Sequence, residues 1–180
     1  QVLDIVGSVR NDRTRLKAER ICRYKSGKYT IERPLHLGAV LAAPGHAQAL
    51  LPALSAYGLP LGDAFQMRDD VMGAFGDPAL TGKPVGGDLR EGKPTPLMAR
   101  AVEAATAAQA AVLAMVGGKD LTDDDVARVQ QVIVDTGALA DLEATIARLT
   151  AEAVAAVERA PVAAEACTEL VALAAYVSRR

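Results

Sequence analysis

No stretch of this chain alternates apolar and polar residues for long enough to make a convincing strand, and most of its 180 positions divide into stretches compatible with helix. That removes sheet-based architectures and leaves helix packed on helix. The composition agrees. Hydrophobic residues make up 51% of the chain, yet aromatics are only 3% and Trp is absent. Much of the apolar content is alanine, so the interior must be built from Ala, Leu, Val and Ile, which suits closely packed helices. The expected fold is all-α, an antiparallel helix bundle without internal repeats.

The helical segments can be placed from their stop signals. The first runs from Thr14 to Lys25 and a second from Tyr29 to Ala43, where Pro44 and Gly45 stop it. A long segment from His46 to Ala74 contains Pro52 and the cluster Gly58, Pro60 and Gly62, which should kink or split it. Between Phe75 and Thr95, Gly76, Pro78, Gly82, Pro84, Gly86, Gly87 and Gly92 preclude regular helix. The same stretch carries Asp77, Lys83, Asp88, Arg90, Glu91 and Lys93, so it is expected to be a functional loop, a lid. Thr95 and Pro96 make a good N-cap and first turn for a helix to about Met115, stopped by Gly117 and Gly118. Thr122 followed by Asp123, Asp124 and Asp125 starts another, favoured by the helix dipole and ended by Gly137. Two more follow, from Ala138 to Arg159 and from Val162 to Ser178, separated by Pro161.

Several function classes are set aside. A net charge of -2, with no basic block interleaved with aromatics, gives no field for nucleic acid. Cys22 and Cys167 stand far apart outside any CxxC or Cys/His cluster, which argues against a disulfide framework or zinc site and for reduced thiols in the cytoplasm. No apolar run reaches membrane-span length, and no basic segment leads into a hydrophobic one. His36 and His46 lack ligand partners at helical spacing, so core or surface roles are expected; Arg33 and Arg90 could pair with nearby acids. The chain opens at Gln1 directly into the apolar pattern Val2, Leu3, Ile5 and Val6, so it is expected to be part of something longer.

The chemistry concentrates at the end of the long segment, in Phe65-Gln66-Met67-Arg68-Asp69-Asp70-Val71-Met72-Gly73. Residues three, four and seven apart share a helix face, so Gln66, Asp69, Asp70 and Gly73 line one stripe and two carboxylates meet at one point. Adjacent buried carboxylates repel unless neutralised, and a hard divalent cation with oxygen ligands is the natural neutraliser. The loop that follows sets Lys83 and Lys93 among glycines, where they can fold over a polyanion held by magnesium. Gly87 to Lys93 also has P-loop spacing, but Pro94 stands where that motif needs Ser or Thr and no strand precedes it.

Phe-Gln-x-x-Asp-Asp-x-x-Gly-x-Phe-Gly-Asp, followed by Gly-Lys-x-x-Gly-x-Asp-x-x-x-Gly-Lys-x-Thr, resembles the second aspartate-rich region of the trans-isoprenyl diphosphate synthases. Tyr24-Lys25-Ser26-Gly27-Lys28 resembles that family's Lys-Thr segment with serine for threonine, and Gln1 with Asp4 its Gln-x-x-Asp opening. The resemblance implies the C-terminal part of a single isoprenoid synthase domain: a helix bundle around a central cavity, incomplete at the N-terminus, and a homodimer. It implies that an allylic diphosphate is ionised with magnesium and that isopentenyl diphosphate attacks the carbocation. On that basis Asp69 and Asp70 hold magnesium, Lys25, Lys83 and Lys93 contact the diphosphate, and Gln66 with the Ser26 carbonyl stabilises the cation.

Two departures stand out. Gly73 occupies the place of the motif's usual final aspartate, with Asp77 a further turn along, a form resembling a subset that makes geranylgeranyl diphosphate. No Asp-Asp-x-x-Asp stands elsewhere in the 180 residues, so the family's first aspartate-rich motif is not among them and this chain alone is expected to be inactive. A non-catalytic paralogue or regulatory subunit is the competing expectation.

Overall fold

The structure, a computed structural model, describes residues 14–76 and 85–179. All its regular elements are helical, as expected from the sequence. They are α1 (Arg15–Cys22), a π-helix (Arg23–Glu32), α2 (Arg33–Ala42), a 3-10 turn (Pro44–His46), α3 (Ala47–Phe75) and the short α4 (Gly87–Glu91). There follow α5 (Pro96–Ala104), α6 (Ala107–Leu113), α7 (Asp123–Asp135), α8 (Ala138–Glu158) and α9 (Ala164–Arg179). No single helix among the described residues is long and apolar enough to cross a membrane. Both cysteines are free thiols, Cys22 buried and Cys167 half-buried.

Four sequence expectations are corrected. Of the two outcomes expected for the segment with Pro52, Gly58, Pro60 and Gly62, a kink or a split, the split does not occur: α3 runs through all four. The chain does not leave helix between Lys25 and Tyr29 but widens into the π form, in which the Arg33 N–H bonds five residues back to the Lys28 carbonyl. The glycine-rich stretch contains a helix after all, because Gly86 and Gly92, both at φ 68°, act as left-handed brackets around α4 instead of breaking it. The helix expected from Pro96 to about Met115 stops at Ala104. Thr106 then caps a new one, accepting from the Gln109 N–H while the Gln109 side chain accepts from the Thr106 N–H.

The described residues form two compact units, 14–21 with 69–76 and 85–143, and 22–68 with 144–179. In the first, Leu89, Leu97, Met98, Leu113, Val126, Val129, Ile133 and Leu142 are buried, drawn from α4 to α8. Arg100 lies among them with its side chain 3% exposed, and sequence alone gave no sign of its burial. Its guanidinium donates to Asp141 at 2.7 Å and to the Pro96 carbonyl at 3.1 Å, so the charge is compensated.

In the second unit Tyr57, Leu61, Ala153, Val157, Ala174 and Val177 form the core, flanked by Ile31, Leu35 and Phe65. An apolar pocket of about 690 Å³ lies between α2, α3 and α9, lined among others by Leu35, Leu54, Val162 and Leu170. Tyr57 donates its hydroxyl to the Leu170 carbonyl at 2.8 Å, and burial pushes that hydroxyl from an ordinary 10.0 up to about 12. The folded state thus favours the neutral phenol. Its contribution is fully present below about pH 10 and is lost as pH rises toward about 12. Tyr57→Phe should therefore lower stability at neutral pH by about 1 kcal/mol and flatten the alkaline decline. Urea midpoints at neutral pH and at about pH 11 test this; equal slopes in both proteins would exclude it.

Candidate active site

In the second unit, the π-helix turns Ser26, Gly27 and Glu32 inward. It can approach α3 closely because Gly58 and Gly62, one helical turn apart, present no side chain to it. A Cβ on Gly62 would overlap the Gly27 Cα and lie 3.0 Å from the Ser26 carbonyl oxygen, and one on Gly58 would lie 3.2 Å from the Glu32 Cα. This crossing brings two predicted site residues together: the Ser26 hydroxyl donates to the Gln66 Oε1 at 2.5 Å, both side chains being buried. Arg23 pairs with Asp63 at 2.5 Å beside the same crossing. Lys25 is exposed, with its carbonyl accepting from the Thr30 hydroxyl at 3.3 Å. Farther along, the half-buried His36 bonds the Leu51 carbonyl at 3.1 Å and the Ser55 hydroxyl at 2.9 Å. Ser55 in turn donates to Glu32 at 2.8 Å, which is a structural role for His36. Arg68 donates to the Ser178 carbonyl at 2.9 Å, closing the end of α9.

In the first unit, Asp69 is exposed and Asp70 only 6% exposed, both toward the C-terminal end of α3. Carboxylates near the negative end of a helix dipole gain nothing from the dipole itself. The last turn is pinned by Gln130 of α7, whose side-chain amide donates to the Ala74 carbonyl at 2.6 Å. Lys93 lies 38% exposed and binds Asp88, with Glu91 at 3.1 Å. Burial disfavours its charge, but the bonds to Asp88 and Glu91 outweigh that and raise the ammonium above its ordinary value. Arg90 of α4 pairs not with an acid close in sequence but with Asp123, 33 residues on, at 2.5 Å. Lys83, Asp77, Gln1 and Asp4 lie outside the described residues.

No group of three or more His, Cys, Asp and Glu side chains is arranged to hold a metal among the described residues. Magnesium does not need one, since it binds through one or two carboxylates and keeps waters and substrate oxygens as its other ligands. The Asp69 and Asp70 donors, one buried and one open to solvent, fit that requirement. The apolar pocket carries none of these groups.

A protein with this all-helical architecture and this paired-carboxylate helix has the isoprenoid synthase fold. The chain belongs to the polyprenyl synthetase family, which it matches over residues 1–134. Over 117 residues it is 41% identical to the geranylfarnesyl diphosphate synthase of Aeropyrum pernix, covering 65% of this chain and 35% of that protein. Over 148 residues it is 33% identical to the (2E,6E)-farnesyl diphosphate synthase of Mycobacterium tuberculosis H37Rv, covering 80% of this chain and 41% of that one. A crystal structure of geranylgeranyl pyrophosphate synthase from Corynebacterium glutamicum, complexed with isoprenyl diphosphate and magnesium, is similar with a TM-score of 0.94 at 39% identity. That similarity covers 100% of this chain and 51% of that one. The chain thus spans 35% and 41% of the length of these two curated relatives.

Proposed function

We propose that the full-length protein carrying this chain is a magnesium-dependent prenyltransferase. It condenses isopentenyl diphosphate with an allylic diphosphate, head to tail, to give a longer trans-prenyl diphosphate such as geranylgeranyl diphosphate. The observation that carries this is the pair of adjacent carboxylates, buried Asp70 and exposed Asp69, toward the C-terminal end of α3 in a chain that matches the polyprenyl synthetase family.

Asp69 and Asp70 are the residues that would hold magnesium. When bound, magnesium supplies charge neutralisation to the diphosphate that leaves as the C–O bond breaks. Lys25, Lys83 and Lys93 supply ammonium groups to the diphosphate oxygens, and such charge-assisted contacts strengthen as charge develops on the leaving group. Ser26 holds the Gln66 amide in one orientation through its 2.5 Å bond, so Gln66 and the Ser26 carbonyl offer fixed dipoles to the cation. In this proposal the chain is the C-terminal part of one synthase domain, cytoplasmic and homodimeric. Relatives named as synthases favour an enzyme over a non-catalytic subunit, as does the presence of Gln66, Asp69, Asp70 and Lys93 together.

The test is to incubate the purified full-length protein with labelled isopentenyl diphosphate and allylic diphosphates of increasing length, then size the prenols. Elongated product should form with magnesium, vanish on chelation and return when magnesium is restored. Absence of product from a folded protein with every allylic partner would rule the proposal out.

A further inference from the structure

We infer that Asp88 is a positioning residue for Lys93, and that Gly73 is glycine because the Asp88 carboxylate takes the space a side chain there would need. The inference rests on the proposal that Lys93 contacts the diphosphate.

The geometry is one of exclusion. A Cβ built on Gly73 would overlap Oδ2 and Cγ of Asp88 and lie 3.0 Å from its Oδ1. That Oδ1 accepts the hydrogen bond from the Lys93 ammonium, and the Lys93 N–H donates to the Asp88 carbonyl at 3.1 Å. Lys93 is thereby held against the last turn of α3, one turn beyond Asp69 and Asp70.

Neither side of this contact can easily back away. The end of α3 is fixed by the 2.6 Å bond from Gln130 to Ala74. α4 is fixed by the Gly117 N–H, which donates to the Leu89 carbonyl at 2.9 Å. A Cβ on Gly92 would come within 2.9 Å of the Gly117 Cα, so the backbones there already touch. A side chain at position 73 would therefore be accommodated by rotating the Asp88 carboxylate, and that rotation releases Lys93.

The experiment uses the full-length protein and the variants Gly73→Ala, Asp88→Ala, Asp88→Asn and the double Gly73→Ala/Asp88→Ala. Labelling of Lys93 by an amine-acylating reagent, read by mass spectrometry without substrate, reports how firmly the ammonium is held. Gly73→Ala and Asp88→Ala should each raise labelling several-fold, and the double variant should match Asp88→Ala alone, because the clash has nothing left to displace. In steady-state assays Asp88→Asn should raise KM for the allylic diphosphate about tenfold with a smaller change in kcat. Wild-type labelling in Gly73→Ala, or effects that add in the double variant, would overturn the steric coupling. Coupled labelling with an unchanged KM in Asp88→Asn would overturn the positioning role. The labelling is independent of turnover, so loss of the prenyltransferase proposal and loss of this inference give different results.

Discussion

Asp70→Asn in the full-length protein is expected to cut condensation by about 10²- to 10³-fold, the usual scale for losing one electrostatic contact to a charge-developing transition state. The melting temperature should stay near that of the parent. Asn matches Asp in shape and keeps one carbonyl oxygen, so packing around a side chain 6% exposed is preserved. What disappears is the charge. A ligand to a metal acts mainly as charge develops on the leaving group, so activity should fall by far more than stability. A structural carboxylate would behave oppositely, losing stability first and activity only as a consequence. Asp69→Asn should show the same split more cleanly, because Asp69 is exposed and contributes little to packing. In both variants kcat and kcat/KM should fall together, the mark of a contact made chiefly in the transition state. Steady-state condensation beside thermal melting decides the matter, and near-parental turnover in both variants would remove the metal-ligand assignment.

The sequence announced some of this fold clearly. Thr122 with three aspartates behind it is a helix start favoured by the dipole, and α7 begins there, the structure adding a capping box between Thr122 and Asp125. The boundaries of α8 and α9 followed from Gly137 and Pro161 because both mark the ends of long apolar periods. The Asp69/Asp70 pair was legible because helical spacing alone puts it on the stripe of Gln66.

Elsewhere local signals pointed the wrong way. The break between α5 and α6 falls in an alanine run, Ala104, Ala105, Ala107 and Ala108, where propensity favours continuing. Its only mark is Thr106 with Gln109 three residues on. The π-helix leaves no signature in a 3.6-residue period, since five-residue hydrogen bonding changes which residues face inward. The contact of Asp88 with Gly73 and the burial of Arg100 depend on elements distant in sequence, Arg100 meeting Asp141 41 residues on.

Gly62→Ala and Gly38→Ala should change stability in opposite directions, although both put the same methyl group into a helix. Alanine gains about 1 kcal/mol over glycine in a helix interior, and at Gly38 of α2 a Cβ would meet nothing within 4 Å, so that gain should appear nearly in full. At Gly62 the methyl would meet backbone, overlapping the Gly27 Cα and lying 2.9 Å from the Gly27 nitrogen and 3.0 Å from the Ser26 oxygen. Backbone cannot rotate aside as a side chain can, so the π-helix must move off α3 as a unit. Overpacking of this kind typically costs about 1–3 kcal/mol, which exceeds the propensity gain. The movement also pulls Ser26 away from Gln66, whose 2.5 Å bond depends on the close crossing. Gly62→Ala should therefore lose more activity than its stability loss explains, and Gly62→Val should lose more of both. Gly38→Ala should keep full activity while melting higher. Denaturant titrations and condensation rates on the three variants provide the measurement. A Gly62→Ala protein as stable and active as Gly38→Ala would show that the crossing has slack, and that Gly27 and Gly62 do not hold Ser26 in place.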